Sequence, residues 1–261
     1  MPDKSGKTRT EKQRLDLLLV ERGLAESRQK AQAMLLAGEV RVNGQRHDKP
    51  GERVPTGAQV EITATHLRYV SRGGFKLEGA LDDFAADPTG KVCLDVGSST
   101  GGFTDCLLQR GAKYVYAVDV TPDQMAWKLQ QDPRVARIKR NARELTSDDL
   151  TAIKSRTETY VAPELVTIDL AFISVAKVLP AVVAVAGPGA EFLILIKPQF
   201  ELDRDDIGKG GIVRDAELHQ RAIQRVQAAA QSAGLREKGV KFSKLPGAEG
   251  NQEFFIYAIR G

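Results

Sequence analysis

Beyond about residue 90 the chain alternates between two kinds of apolar spacing. Compact runs at 92–94, 114–118, 136–140, 165–168, 192–196, around 240 and at 253–259 have the length and the β-branched and aromatic content of strands. Between them, 122–131, 146–153, 175–185 and 215–233 carry apolar residues at helical spacing and read as crossover helices. Such alternation predicts an α/β fold with a doubly wound sheet. The N-terminal quarter differs. Residues 14–22, RLDLLLVER, form an amphipathic helix with Leu15, Leu18 and Leu19 inward, closed by Gly23. Ser27 is suited to cap a second helix over 28–37, closed by Gly38. A strand at 39–42 then meets the hairpin signal Asn43-Gly44, and breaks at Pro50-Gly51 and 55–57 precede a strand at 59–63. A small α+β unit therefore precedes a large α/β one.

Composition permits this division. A chain of 261 residues suits one large domain with a small appendage, and 42% hydrophobic content is enough for a core. There is no apolar run of about 18 residues, so no membrane span is expected. The segment MPDKSGKTRTEKQR is charged without an apolar centre or cleavage site, unlike a secretory signal. Cys93 and Cys106 are too few for a disulfide framework or a zinc site; they fit strand core and helix packing in a reducing cytoplasm. No metal is expected. The charge is lopsided: residues 1–72 hold 14 Lys/Arg against 9 Asp/Glu, the remainder 24 against 25. A basic unit at one end points to nucleic acid, although a solvated basic face would read the same by charge alone.

The most informative stretch is VCLDVGSSTGGFTD, residues 92–105. A strand ending at Asp95 leads into Gly97-Ser98-Ser99-Thr100-Gly101-Gly102, and Phe103 opens a helix. Strand, glycine loop and helix bring a nucleotide-like ligand against bare backbone. The loop spells G-x-x-x-G-G, not the dinucleotide G-x-G-x-x-G. An acid before the loop suits a ligand with positive charge, and S-adenosylmethionine fits that demand. Asp119, 24 residues after Asp95, ends the next strand where a ribose-binding acid is expected; capping of the turn at 121–123 is its bland alternative. Asn141, at the third strand end, could approach the adenine or cap a helix. Phe103 and Phe172 could wall the ligand or belong to the core.

The motifs R-L-D-x-x-L-V-x-R-G-L, S-R-x-x-A and G-x-V-x-V-N-G over residues 14–64 resemble the αL RNA-binding motif shared by ribosomal protein S-four, pseudouridine synthases and tyrosyl-tRNA synthetases. The resemblance implies structured RNA held by shape and phosphate contact, with Arg14, Arg22, Arg28, Lys30 and Arg41 as candidate contacts. Next comes RYVSRGGFKL, residues 68–77, and in this order the chain resembles the TlyA family, described both as haemolysin A and as ribosomal RNA methyltransferases. Its linker is usually of the type R-x-W-V; here Tyr69 stands in the Trp position. The division that follows is a flexible basic arm 1–13, an S-four-type domain 14–64, a linker 65–73 contributing Arg68 and Arg72 to RNA contact, and a methyltransferase domain 74–261. The resemblance implies a Rossmann-like class I methyltransferase sheet of seven strands, the last antiparallel.

Lys76, Asp169, Lys197 and Glu253 resemble the K-D-K-E set of FtsJ/RrmJ-type 2′-O-methyltransferases. Asp169 and Lys197 follow parallel strands, at whose carboxyl ends ligands bind, and a reversed last strand would bring Glu253 to the same side. By that resemblance Lys197 is the base or hydroxyl orienter, Asp169 its ion-pair partner and a cofactor contact, while Lys76 and Glu253 position the ribose. Two lysines side by side lower each other's basicity and two carboxylates raise it; sequence leaves the balance open. The chain ends at Gly261, without the further C-terminal helix of relatives that modify both ribosomal subunits. The expectation is a cytoplasmic enzyme, monomer or weak dimer, that methylates a cytidine 2′-hydroxyl of large-subunit ribosomal RNA. An RNA-binding assembly factor and a haemolysin are the alternatives. The charged, glycine-containing stretch 201–214 reads as a mobile loop beside the site.

Overall fold

The computed structural model describes residues 12–25, 27–36, 38–62, 68–151, 161–247 and 250–261, with two compact units, Met1–Arg68 and Tyr69–Gly261. The arm 1–11, residue 37 of the second helix and parts of the linker (65–67) and of the 146–153 helix lie outside the described residues.

The first unit contains β1 (Lys12–Arg14), α1 (Leu15–Glu21), α2 (Arg28–Leu36), β2 (Val40–Val42), β3 (Gln45–His47), β4 (Arg53–Pro55) and β5 (Val60–Ile62). A sheet of order β3-β2-β5 and an antiparallel β1–β4 pair flank the helices. Asn43 and Gly44, both at positive φ (50° and 80°), make the turn between β2 and β3. Leu15, Leu18, Leu19, Ala31, Leu35 and Val40 form the core. The first helix stripe holds one residue that spacing did not reveal. Asp16 is fully buried, and its carboxylate accepts from Arg14 (2.9 Å), Arg28 (3.0 Å) and Gln32 (3.0 Å). The hydrogen bond from Arg14 holds the Asp16 carboxyl well below the usual carboxylate range, against the opposing effect of burial.

In the second unit, α3 (Arg72–Phe84) precedes β6 (Val92–Val96), α4 (Gly102–Gln109), β7 (Tyr114–Asp119), α5 (Trp127–Gln130), β8 (Val135–Lys139), α6 (Ser147–Thr151), β9 (Leu165–Ile168), α7 (Leu179–Val185), β10 (Glu191–Ile196), α8 (Pro198–Glu201), α9 (Ala216–Ser232), β11 (Leu235–Phe242) and β12 (Phe254–Arg260). The seven strands run in the order β11-β12-β10-β9-β6-β7-β8. All neighbours from β10 to β8 are parallel, and β12 is antiparallel to both of its neighbours. The fold class is the expected one. Every residue of β6 is buried, as a parallel strand covered on both faces requires. One face packs Leu77, Leu81, Cys106 and Leu107 of α3 and α4; the other packs Leu179 and Val182 of α7 and Ala222 and Val226 of α9.

Three expectations change. The segment 122–131 is not one helix but a 3₁₀ turn (Pro122–Gln124) and the single turn α5, because Met125 is buried and the Ala126 N–H donates to Thr100 O at 3.1 Å. Packing begins at Tyr69, fully buried, and the Val70 N–H donates to Asp105 Oδ2 at 2.8 Å, so the end of the linker belongs to the large unit. The stretch 201–214 contains helical turns tied to α9 by Arg225–Asp203 and Arg221–Asp206 pairs, which use two of its acidic residues.

Replacing Asp16 by Ala removes the shared acceptor of Arg14, Arg28 and Gln32, and is expected to destabilise the first unit by about 2 kcal/mol at pH 7. Because the folded carboxyl is more acidic than the unfolded one, its stabilisation is complete above about pH 4 and fades below. Hydrogen exchange of α1 and α2 in both proteins should therefore differ at neutral pH and converge as the solution is acidified.

Candidate active site

The glycine loop owes its composition first to the protein's own packing. At Gly97 (φ 84°) a Cβ would lie 2.2 Å from Asp169 O; at Gly101 (φ 93°), 2.3 Å from Leu129 Cδ1; at Gly102, 2.2 Å from Ser71 Oγ. The loop is thus pressed against the end of β9, against α5 and against the start of α3. Gly97 and Ser98 donate to Val118 O at 2.8 and 3.1 Å, which fixes the loop over the end of β7. Ser99, at φ 46°, donates its N–H to Asp119 Oδ2 at 2.9 Å.

The structure buries Asp95. Strand β6 continues to Val96, and the Asp95 side chain lies beneath the loop, fully buried. Its carboxylate accepts from Thr104 Oγ1 (2.6 Å) and Thr167 Oγ1 (3.1 Å), so it ties α4, which follows the loop, to β9. Burial pushes its pKa up to about 7, opposed by the two hydroxyls. A threonine within the apolar run 165–168 was the available sign of a buried polar partner. Asp119 caps the following turn, accepting from Thr121 N and Oγ1 (2.8 and 3.0 Å), and it also lines a cleft. Asn141 likewise caps a 3₁₀ turn, accepting from Arg143 N at 3.1 Å, while bordering the same cleft.

Two cavities meet at Gly97, Ser99 and Asp169. One, of about 190 Å³, is lined by Ser71, Arg72, Lys76, Ser98, Thr100 and Phe103. The other, of about 500 Å³, is lined by Asp119, Asn141, Phe172 and Lys197 among others. Ser98 Oγ is buried without a hydrogen-bond partner and borders the smaller cavity, ready for a polar ligand group. Phe103 is buried and Phe172 stands 92% exposed at φ 66°, close to Phe200.

The four chemically suited residues come together at the carboxyl edge of the sheet. Lys197 follows β10 and pairs with Asp169, which follows β9. Lys76, in the second turn of α3, pairs with Glu253 at 2.5 Å, and Glu253 directly precedes the reversed strand β12. Burial raises the Glu253 pKa, opposed by Lys76 and Lys197. The two pairs form one cluster without net charge.

The predicted RNA contacts divide differently. Lys30 and Arg41 are exposed, as are Arg68 and Arg72, and Arg41 donates to Gly44 O at 2.9 Å. Arg14 and Arg28 are partly spent on Asp16, and Arg22 on the carbonyls of Ala58 (2.8 Å) and Thr56. Glu201, which sequence reasoning passed over, is 5% exposed and accepts from Ser174 Oγ (2.6 Å) and Val175 N (2.9 Å). Among the described residues no helix is long and apolar enough to cross a membrane, and no group of His, Cys, Asp or Glu could hold a metal ion.

A seven-stranded sheet with one reversed strand, and ligand clefts at the ends of β6, β7 and β9, defines a class I methyltransferase domain. Residues 69–260 match FtsJ-like methyltransferases and residues 13–60 match the S4 domain. The chain belongs to the FtsJ-like methyltransferase family, whose methyl donor is S-adenosylmethionine. It is 46% identical over 246 residues to the 16S/23S rRNA (cytidine-2'-O)-methyltransferase TlyA of Mycobacterium tuberculosis, a match covering 94% of this chain and 88% of that one. A solved structure described as "Putative hemolysin from Streptococcus thermophilus" is 41% identical, with a TM-score of 0.73 over 96% of this chain and 89% of its own. An S-adenosylmethionine dependent methyltransferase from Mesorhizobium loti, 15% identical with a TM-score of 0.50 over 71% of this chain and 98% of its own, shares the fold.

The raised Asp95 pKa sets a pH dependence. The folded state favours the neutral carboxyl, so the cost of burying it grows as pH rises from about 3.8 through about 7. Asp95→Asn removes that cost. Melting temperatures measured between about pH 5 and pH 8 should move in favour of the variant as pH rises; parallel curves would refute the assignment.

Proposed function

We propose that this chain transfers a methyl group from S-adenosylmethionine to a cytidine 2′-hydroxyl in ribosomal RNA, with the large-subunit RNA as its substrate. The observation that carries the proposal is the Lys76–Glu253 and Lys197–Asp169 cluster beside the two ligand cavities. The name of the relative at 46% identity supports the reaction and the nucleotide; that name covers both subunits' RNAs, and the preference for the large subunit is our reading of this chain. The S-four-type unit with exposed Lys30 and Arg41 supports a structured RNA partner. Such a substrate places the enzyme in the cytoplasm, and a monomer or weak dimer suffices, since every group invoked comes from one chain.

Residues of the glycine loop, Gly97 to Gly102, with Phe103, Asp119, Asn141 and Asp169, would hold the cofactor, and Asp95 would support the loop from beneath. When bound, the sulfonium supplies an electrophilic methyl group. The protein's task is the acceptor. A ribose hydroxyl is a weak acid and must lose its proton as its oxygen is methylated. Lys197, held by Asp169, orients that hydroxyl and takes its proton once its own ammonium has released one to solvent, while Lys76 and Glu253 fix the ribose. Alignment of oxygen and methyl supplies the larger share of the rate.

Purified protein incubated with tritiated S-adenosylmethionine and unmodified large or small ribosomal particles should label RNA in the large particle. Lys197→Ala should lower kcat by a hundredfold or more, on the order expected for a lost general base, while still binding cofactor. Label in the small particle alone would reverse the subunit assignment. No label in either, with cofactor bound, would favour a non-catalytic assembly factor.

A further inference from the structure

We propose that Glu201 is a positioning residue that locks the Lys197 segment to the Asp169 segment; the inference rests on the functional reading above. Lys197 and Asp169 sit on different connections, after β10 and after β9, and their ion pair is one tie between these connections. Glu201 makes the second. It ends α8, the single turn that begins directly after Lys197. Its carboxylate reaches Ser174 Oγ at 2.6 Å and Val175 N at 2.9 Å, the cap and first residue of the 3₁₀ turn Val175–Lys177 that closes the segment leaving Asp169. Ser174 in turn caps that turn by accepting from Ala176 N at 3.2 Å.

The brace is held from a third side. Arg225 of α9 donates to Glu201 O at 2.9 Å and to Asp203 Oδ2 at 2.6 Å, so the end of α8 is fixed to a long packed helix. Glu201 lines neither cavity and is 5% exposed; among the described residues its carboxylate is in no ion pair, and the Arg225 guanidinium acts on it only through space. Burying a carboxylate costs stability, and burial raises its pKa, opposed by the bonds from Ser174 and Val175 and by the Arg225 charge. An apolar residue there would pack more cheaply but would leave Val175 N–H and the Ser174 hydroxyl without their acceptor. With both ends of the two connections tied, the Lys197 ammonium and the Asp169 carboxylate cannot slide past one another. An error of about 1 Å at a reacting group costs up to roughly a hundredfold in rate.

The test compares Glu201→Ala, Glu201→Gln and Ser174→Ala in the full chain. Glutamine can accept from Val175 N and donate to Ser174 Oγ, so it preserves both ties. Glu201→Ala should lower kcat by roughly tenfold or more at unchanged cofactor affinity and RNA KM, Glu201→Gln should recover most of it, and Ser174→Ala should fall between. A second readout is independent of turnover. In protein whose lysines carry ¹³C-methyl groups, the Lys197 signal, assigned by its loss in Lys197→Arg, should move in Glu201→Ala, return in Glu201→Gln, and leave the Lys76 signal in place. A folded Glu201→Ala with unchanged kcat and an unmoved Lys197 signal would overturn the proposal. So would equal losses in the alanine and glutamine variants. Wild type without activity on any ribosomal particle would count against the functional reading, and the Lys197 signal would still decide the role of Glu201.

Discussion

Two ammonium groups and two carboxylates packed at one edge of a sheet can be held only in balance. Glu253 is 2% exposed and Lys76 9%. Removing Lys76 would strand the Glu253 carboxylate in a place that water barely reaches. This constraint accounts for features that otherwise look unconnected. Strand β12 must run backwards, because only its beginning lies at the edge where β9 and β10 end, and Glu253 stands at that beginning. Helix α3 must start near that same edge, because Lys76 lies in its second turn. Even Gly247 is drawn in, since a Cβ there would lie 2.7 Å from Glu253 Oε1.

The glycine loop is subject to the same crowding. Asp169 contributes its carboxylate to the ion pair with Lys197 and its backbone oxygen to the contact that only a glycine at position 97 permits. Asp169 N donates to Val96 O at 3.0 Å, so the end of β9 is also hydrogen-bonded to the strand that feeds the loop. Cofactor loop and catalytic pair thus share one residue and one backbone junction. A nucleotide loop placed there cannot shift without moving the acceptor machinery, and this supports a reading in which methyl donor and hydroxyl are aligned by the same few atoms.

The strands were legible in the sequence because parallel strands buried on both faces are short apolar runs, and 92–94 and 192–196 are such runs. The glycine loop was legible because positive-φ positions select glycine, and Gly97 and Gly101 have φ of 84° and 93°. What escaped was set by partners distant in sequence. Asp16 reads as a polar position on a helix until α2 brings Arg28 and Gln32 over it. Asp95 reads as a strand-end acid until Thr167, 72 residues later, supplies a hydroxyl beside it. The 122–131 helix fails for a similar reason: the Ala126 N–H that would continue it is taken by Thr100 O. The K-D-K-E set needed a family resemblance, because no local pattern says that residues 76, 169, 197 and 253 share an edge.

Asp95 and Glu201 together show where the fold invests its buried carboxylates. Neither has a cation on its side-chain oxygens; hydroxyls and one backbone N–H are the partners, and burial raises both pKa values. At the candidate site, by contrast, the carboxylates are ion-paired, Asp169 with Lys197 and Glu253 with Lys76, as buried Asp16 and Asp105 are elsewhere. The division has a physical basis. An ion pair tolerates a sliding partner, because its attraction depends weakly on angle, whereas a hydroxyl or amide hydrogen bond weakens steeply with misalignment. Directional bonds therefore suit the braces at Asp95 and behind Lys197, which keep in register an ion pair that would by itself tolerate displacement.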